Sequence, residues 1–479
     1  MTVLREAFDY EFSRLDPTGA HIDPPHVAVY ELLMTKGPDF RPHPGLAEAW
    51  DVSRDGLEWR VKLRGGARFH SGAPCDAEAV LRPLEHLRWM APTGQLWYWD
   101  PVDTVRADGE DTLVFTLHHP YARLPSLLWG THTTIYNEAL RAERPDDFGF
   151  GVADGTGPFR LVSWSPERIV AERWDGYVGT PARLDGVEWV SILDEQGRLD
   201  ALKRGDVHVL HGPPLGEVDR LRDDSRFVVH EFPQASTFYL ALDWRRGDLG
   251  FDDLRVRHAI SLAVDRSAVV ADALAGRGAP VWGIVPPGDE HYDPEVDRSR
   301  VPDPRRAAEL LLEARGSEPI ECECVVQDDA VFHRVASIVQ AQLAEVGVHL
   351  ALRYLRPFAP FYEACAAGPP SFISKWLWQD AVDAVIGFTS TRCDGFPNWQ
   401  HASIPELDGA FQAWLRAATD QELHRTASRV QHVAAEQLPY VPLVTPNDVW
   451  VNAARLHGFT PHAADLYPRY QEAWLDADG

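Results

Sequence analysis

The sequence predicts a mixed α/β protein of more than one domain, and three observations carry that expectation. The stretch 185–210, "DGVEWVSILDEQGRLDALKRGDVHVL", reads as strand, helix and strand, the pattern of a βαβ unit on a parallel sheet. Residues 40–150 are rich in short alternating segments, whereas about 245–440 is dominated by helical periodicity. A chain of 479 residues also exceeds what one hydrophobic core serves, and is long enough for two or three domains.

The elements follow in order. "LEWRVKLR" (57–64) alternates as a half-buried strand does and stops at Gly65-Gly66. "DAEAVLRPLEHLRWM" (76–90) then predicts a helix with Asp76 as N-cap. "VDTVRADGEDTLVFTLHHP" (102–120) predicts a hairpin about an Asp-Gly turn. "TFYLALDW" (237–244) is an apolar strand, and "DLRVRHAISLAVDRSAVVADALAGRG" (253–278) predicts one long helical stretch closed by glycines. Further helices are expected in 304–315, 332–345 and 404–437, the last stopped by Pro439 ahead of a strand.

Composition excludes some functions. With 45% hydrophobic and 25% charged residues the chain is an ordinary globular protein, and a formal charge of −26 argues against a partner held by phosphate contacts, so no nucleic acid is expected. No window reaches the ~18 apolar residues of a membrane span. The N-terminal "MTVLREAFDYEF" shows no basic segment followed by an apolar one, so a signal peptide is not expected. That leaves a mature exported form with an added start Met or a cytoplasmic protein. Lysine occurs only at 36, 62, 203 and 375, in a chain whose basic residues are otherwise arginine. The 17 tryptophans are more informative, since rigid indoles often line ligand clefts.

Little in the motifs favours catalysis. His70 and Cys75, in "VKLRGGARFHSGAPCDAEAV", are a possible base and nucleophile, yet they stand in a glycine turn ahead of a helix and read as scaffold. "GTGPF" (155–159) lacks the Lys-Ser/Thr of a phosphate loop and reads as a strand-linking turn. His118-His119 and the pair His208 and His211 read as satisfied groups near strand ends and the surface. Five cysteines cannot all pair, and Cys322 and Cys324 share one face of a strand, which suits neither a disulfide nor a metal. No catalytic residue, metal site or cofactor is expected. Trp97 and Tyr98, beside Trp99 in "GQLWYWDP", form an aromatic loop cluster of the kind that meets a ligand or another domain.

The segment 44–80, "PGLAEAWDVSRDGLEWRVKLRGGARFHSGAPCDAEAV", resembles the signature of the bacterial extracellular solute-binding proteins, family 5, which serve ABC transporters for oligopeptides, dipeptides and nickel. "SRLDP" (13–17), "GTGPFRLVSW" (155–164), "RWDGYVGTPARLDGVEW" (173–189), "ALKRGDVHV" (201–209), "VRHAISLAVDRSAVV" (256–270), "IVQAQLAEVGVHL" (338–350) and "QLPYVPL" (437–443) follow in order. The resemblance implies a two-lobed periplasmic-binding-protein fold (type II), with ligand held between lobes that close by a hinge. Lobe I would take 1–40, 155–240 and 441–479, an inserted subdomain 41–154, and lobe II 241–440. It also implies that "SKWLWQDAVDAVIGF" (374–388) reaches the ligand, with Trp376 or Trp378 as aromatic wall and Asp380 and Asp383 at the spacing of relatives whose aspartate binds an α-ammonium group. Here the Tyr-Pro and final Pro of that pattern are Ala381, Val382 and Ala384, so the clamp is altered. By the same resemblance Trp129 and His132 fall near the lobe junction, Tyr239 on a crossing strand, and Asn398 and Trp399 beside the ligand.

The expected function is therefore capture of a small organic ligand, peptide-like or aromatic-containing, by a monomer that delivers it to an ABC transporter permease. The alternative is a cytoplasmic protein that reuses the fold as a biosynthetic enzyme or ligand sensor; a metal-chelate binder is a weaker third.

Overall fold

The computed structural model describes residues 2–12, 14–18, 24–37, 39–90, 99–130, 133–298, 300–356, 358–377, 398–461 and 469–476. Two compact units emerge. The first is built on Met1–Pro92, Leu96–Phe232 and Asp448–Gly479, the second on Pro233–Asn447, so the chain passes between them at 232/233 and at 447/448.

In the first unit, strand Val3–Phe8 is the centre of a parallel trio. It pairs in parallel with Gly186–Ser191 on one side and with Val209–His211 on the other. The helix Glu195–Arg204 makes the crossover, started by the Asp194 carboxylate on Gly197 N and ended by Gly205 at φ +79°. The expected βαβ unit is thus present, with the N-terminal strand inserted between its two strands. Arg168–Arg173 and Phe159–Ser165 extend the sheet in antiparallel fashion, and the last part of Val441–Ala453 pairs with Val209–His211.

A separate antiparallel sheet in this unit runs in the order Ala47–Val52, Glu58–Leu63, Thr112–Leu117, Val102–Ala107. Trp59, Val61 and Leu63 point inward while Arg60 and Lys62 face solvent, as the alternation predicts. The Asp76 carboxylate accepts from Ala79 N at 2.9 Å, capping the helix Ala77–Met90 whose Val80, Leu84 and Leu87 are buried.

In the second unit, Ile320–Gln327 pairs in parallel with both Val348–Leu355 and Ser371–Leu377. Ser236–Leu242 lies antiparallel to Ser371–Leu377 and to the first part of Val441–Ala453. The helix Ala330–Ala344 buries Phe332, Val335, Ala336, Val339 and Leu343 in the core formed with these strands.

The long helix expected over 253–278 is two helices, Leu254–Ala263 and Arg266–Ala273. Val264 and Asp265 are extended, and the Asp265 carboxylate restarts the helix by accepting from Ala268 N. The break is held by Arg266. Its buried guanidinium donates to the carbonyls of Ser261, Val264, Val281 and Pro442 and lies 3.6 Å from the Trp282 ring centroid. Burial lowers its pKa to about 9, still a cation at neutral pH. Arg266→Leu strands those carbonyls without donors, at about 1–3 kcal/mol per unsatisfied group. Denaturant unfolding is expected to show a loss of about 3–5 kcal/mol, against no change if the residue were a surface arginine.

Candidate ligand site

Parallel strands release their chain ends at one edge of a sheet, and in open α/β sheets ligands collect outside that edge. In the first unit the edge is reached at Phe8, Ser191 and His211. His211 Nε2 meets Asp448 Oδ1 at 2.6 Å, and its ring stacks on Trp450 with centroids 4.3 Å apart. Trp450 in turn donates Nε1–H to Asp448 Oδ2 at 3.0 Å. Burial works to lower the His211 pKa, but Asp448, with Asp9 and Glu6 adding to it, outweighs burial and holds it above the ordinary value. A histidine with part of its surface exposed, its affinity for a proton raised by Asp448, therefore stands at the strand end.

Glu6, on the central strand of the trio, is fully buried. It accepts from Tyr470 Oη at 2.6 Å, and Tyr470 accepts from Trp189 Nε1 at 3.0 Å. Burial raises its pKa to about 7 against the pull of Tyr470 and His211.

The second unit reaches its edge at Gln327, Leu355 and Leu377. Here His333 Nε2 meets Asp328 at 2.8 Å and stacks on Tyr354, while Arg356 donates to the Asp328 carbonyl. Lys375, two residues before the strand end, brings Nζ to 3.4 Å from Gln234 Oε1.

The expected site residues fare unevenly. Trp97, Tyr98, His132, Trp378, Asp380 and Asp383 lie outside the described residues, and of Trp376 only the backbone, in strand Ser371–Leu377, is described. The described strand ends at Leu377, at the edge where the parallel strands of the second unit end. Tyr239 and Trp399 are brought together through Phe372, at 6.1 Å from each ring, with Tyr440 and Tyr362 extending the cluster. Both are buried, at 1% and 3% exposure. Asn398 is spent on a turn, its amide bonding both the N–H and the carbonyl of Ala402. Trp129 ends a short helix in the first unit, buried, with Lys36 Nζ 5.6 Å from its ring. Trp99, expected in an exposed loop cluster, is buried with Arg88 over its ring, because the preceding helix brings that guanidinium onto it.

The scaffold expectation for His70 and Cys75 is met. His70 N donates to Gly155 O at 2.9 Å, and its Nε2 lies 3.0 Å from Gly157 O. A Cβ at either glycine would run into the backbone carbonyls of Val29 or Ala28, so the "GTG" turn must be glycine. Burial lowers the His70 pKa to about 4 and pushes the Cys75 thiol well up, so at neutral pH the imidazole is neutral and the thiol keeps its proton. His208 is satisfied as expected but buried rather than superficial, between Arg5 N and the Arg455 guanidinium. His211 is satisfied near a strand end as expected, by Asp448, while Glu6 and Lys375 were not singled out. Only Lys375 left a signal, as a rare lysine directly before Trp376.

Two units of mixed α/β structure, each with a parallel trio whose edge carries polar and aromatic groups, define a solute-binding fold. The model for "Bacterial extracellular solute-binding proteins, family 5 Middle" matches residues 41–395, and the chain belongs to that family. It is 26% identical over 478 residues to the glutathione-binding protein GsiB of Salmonella paratyphi A, covering 94% of this chain and 90% of that protein. Among solved structures it is similar to the periplasmic binding protein DppA from Helicobacter pylori in complex with peptide STSA (TM-score 0.87, 21% identity, 99% and 98% coverage). It is also similar to NikA from Staphylococcus aureus in complex with Ni(L-His)2 (TM-score 0.85, 13% identity, 99% and 100% coverage). No helix among the described residues is long and apolar enough to cross a membrane.

A raised pKa in the folded state means that folding takes up a proton. Glu6 binds its proton up to about pH 7 when folded but only to about 4.5 when exposed, so its contribution is complete below pH 4.5 and is lost as pH rises towards 7. His211 acts in the same direction. Thermal unfolding is expected to show stability falling by up to about 3 kcal/mol from Glu6 over that window. Glu6→Gln should flatten the fall and make the protein more stable at pH 8. A pH profile unchanged by the substitution contradicts the assignment.

Proposed function

We propose that this chain is the ligand-capturing component of an ABC uptake system and that its solute is a small peptide-like molecule. The observation that carries the reading is where the side chains are spent. Polar and aromatic groups gather where the parallel strands end in each unit, whereas the one candidate base and nucleophile pair, His70 and Cys75, is consumed by scaffold. That removes the main motif-level support for the rival reading as an enzyme. Relatives named or solved with glutathione, a peptide and a nickel–histidine complex give the classes of solute to try.

Capture by hinge closure at the chain crossings near 232/233 and 447/448 belongs to the proposal, as do a monomeric state, a permease partner and an inserted subdomain at 41–154. So do the solute contacts. Trp376, Trp378, Asp380 and Asp383 form the proposed contact segment, with Tyr239 and Trp399 as the aromatic wall that supports it. Trp97, Tyr98, Trp129, His132 and Asn398 are retained as proposed secondary positions.

The test is isothermal titration with glutathione, the dipeptide Met-Leu and Ni(L-His)2, paired with thermal unfolding and mass spectrometry of the recovered solute. A bound solute at about 100 times Kd stabilises the fold by about 2.7 kcal/mol, and it is expected back chemically unchanged. Conversion of the solute to a new mass would overturn the binding reading in favour of an enzyme.

A further inference from the structure

Lys375 is a cation without a counter-ion among the described residues of a chain whose formal charge is −26. Of the other lysines, Lys62 pairs with Glu48 at 2.8 Å and Lys203 with Glu217 at 3.3 Å. Lys375 is half-buried on strand Ser371–Leu377, opposite Phe238, whose ring centroid lies 5.6 Å from Nζ. Its described polar contact is Gln234 Oε1 at 3.4 Å. Gln234 is itself buried and is fixed by its backbone N–H to Pro446 O at 3.0 Å, just ahead of strand Ser236–Leu242.

The donor inventory then decides the chemistry. An ammonium has three N–H donors and no acceptor, and a glutamine amide has one oxygen and two N–H donors. With Oε1 turned to Lys375, the remaining ammonium protons and the Gln234 Nε2 group are donors with no acceptor given among the described residues. Phe238 presents its ring to the ammonium, an apolar flank that strengthens any charge-assisted bond formed there. The pair also stands at the edge where the parallel strands of the second unit end.

We infer that Lys375 and Gln234 form an anion subsite that anchors a carboxylate of the captured solute. The inference rests on the solute-binding reading above and deepens it: the solute is acidic at the end that meets the second unit. A neutral amide at the same position would place its NH2 against donors and lose the ion pair.

The experiment is titration calorimetry of wild type, Lys375→Met and Lys375→Arg with Met-Leu, glutathione and the C-terminal amide of each. In the wild type each bound acid is expected to exceed its amide by about tenfold to a hundredfold, the range for a hydrogen bond to a charged group. Lys375→Met should bring the acid down to the level of the amide and leave the amide unaffected, while Lys375→Arg keeps the preference for acid. Equal binding of acid and amide by the wild type overturns the inference even if no variant folds, as does a preference that survives in Lys375→Met. Silence of every probe with folded wild type overturns the peptide-like solute and this inference together, whereas loss of the acid–amide difference alone leaves solute binding intact.

Discussion

Strand direction is the constraint on which the rest of the structure depends. Because Val3–Phe8 pairs in parallel with both Gly186–Ser191 and Val209–His211, all three strands deliver their following loops to one edge. Ile320–Gln327, Val348–Leu355 and Ser371–Leu377 do the same in the second unit. Parallel pairing requires long crossovers, which explains both the length of the chain and the alternation of helix and strand. It also concentrates at two edges the backbone and side-chain groups that no ladder satisfies. His211 with Asp448, and Lys375 with Gln234, occupy those positions.

Away from the edges, polar side chains serve the backbone. His70 holds the carbonyls of Gly155 and Gly157, Arg266 holds the break between two helices, and Asp154 accepts from Ser71 N and Asn137 Nδ2. Each is buried or nearly so, where an unmade hydrogen bond is costly. A motif that looks reactive on paper can thus be part of the scaffold. The environment of a histidine sets its proton affinity: burial lowers the pKa of His70, whereas Asp448 raises that of His211 against burial.

Much of the fold was legible in the sequence because its signals are local. The Asp76 cap, the 102–120 hairpin and the strand–helix–strand run each depend on residues a few positions apart. The two-helix break at Val264–Asp265 was not legible, since Arg266 enforces it through Val281 and the distant Pro442. The partners of Glu6 and His211 were illegible for the same reason. They are Tyr470 and Asp448, hundreds of residues away in sequence. Of the 374–388 segment that the family resemblance singles out, the described residues are the end of strand Ser371–Leu377. Spacing could not show that the Asn398 amide bonds the backbone of Ala402 within its own turn.

The central claim is that solute is recognised where the parallel strands of the units end. Hydrogen–deuterium exchange with and without a bound solute tests it most directly. Slowed exchange is predicted at 209–212, 234–236 and 374–377, with little change on the 47–63 and 102–117 strands of the separate antiparallel sheet. Protection confined to that sheet, with the strand ends unchanged, would contradict the account.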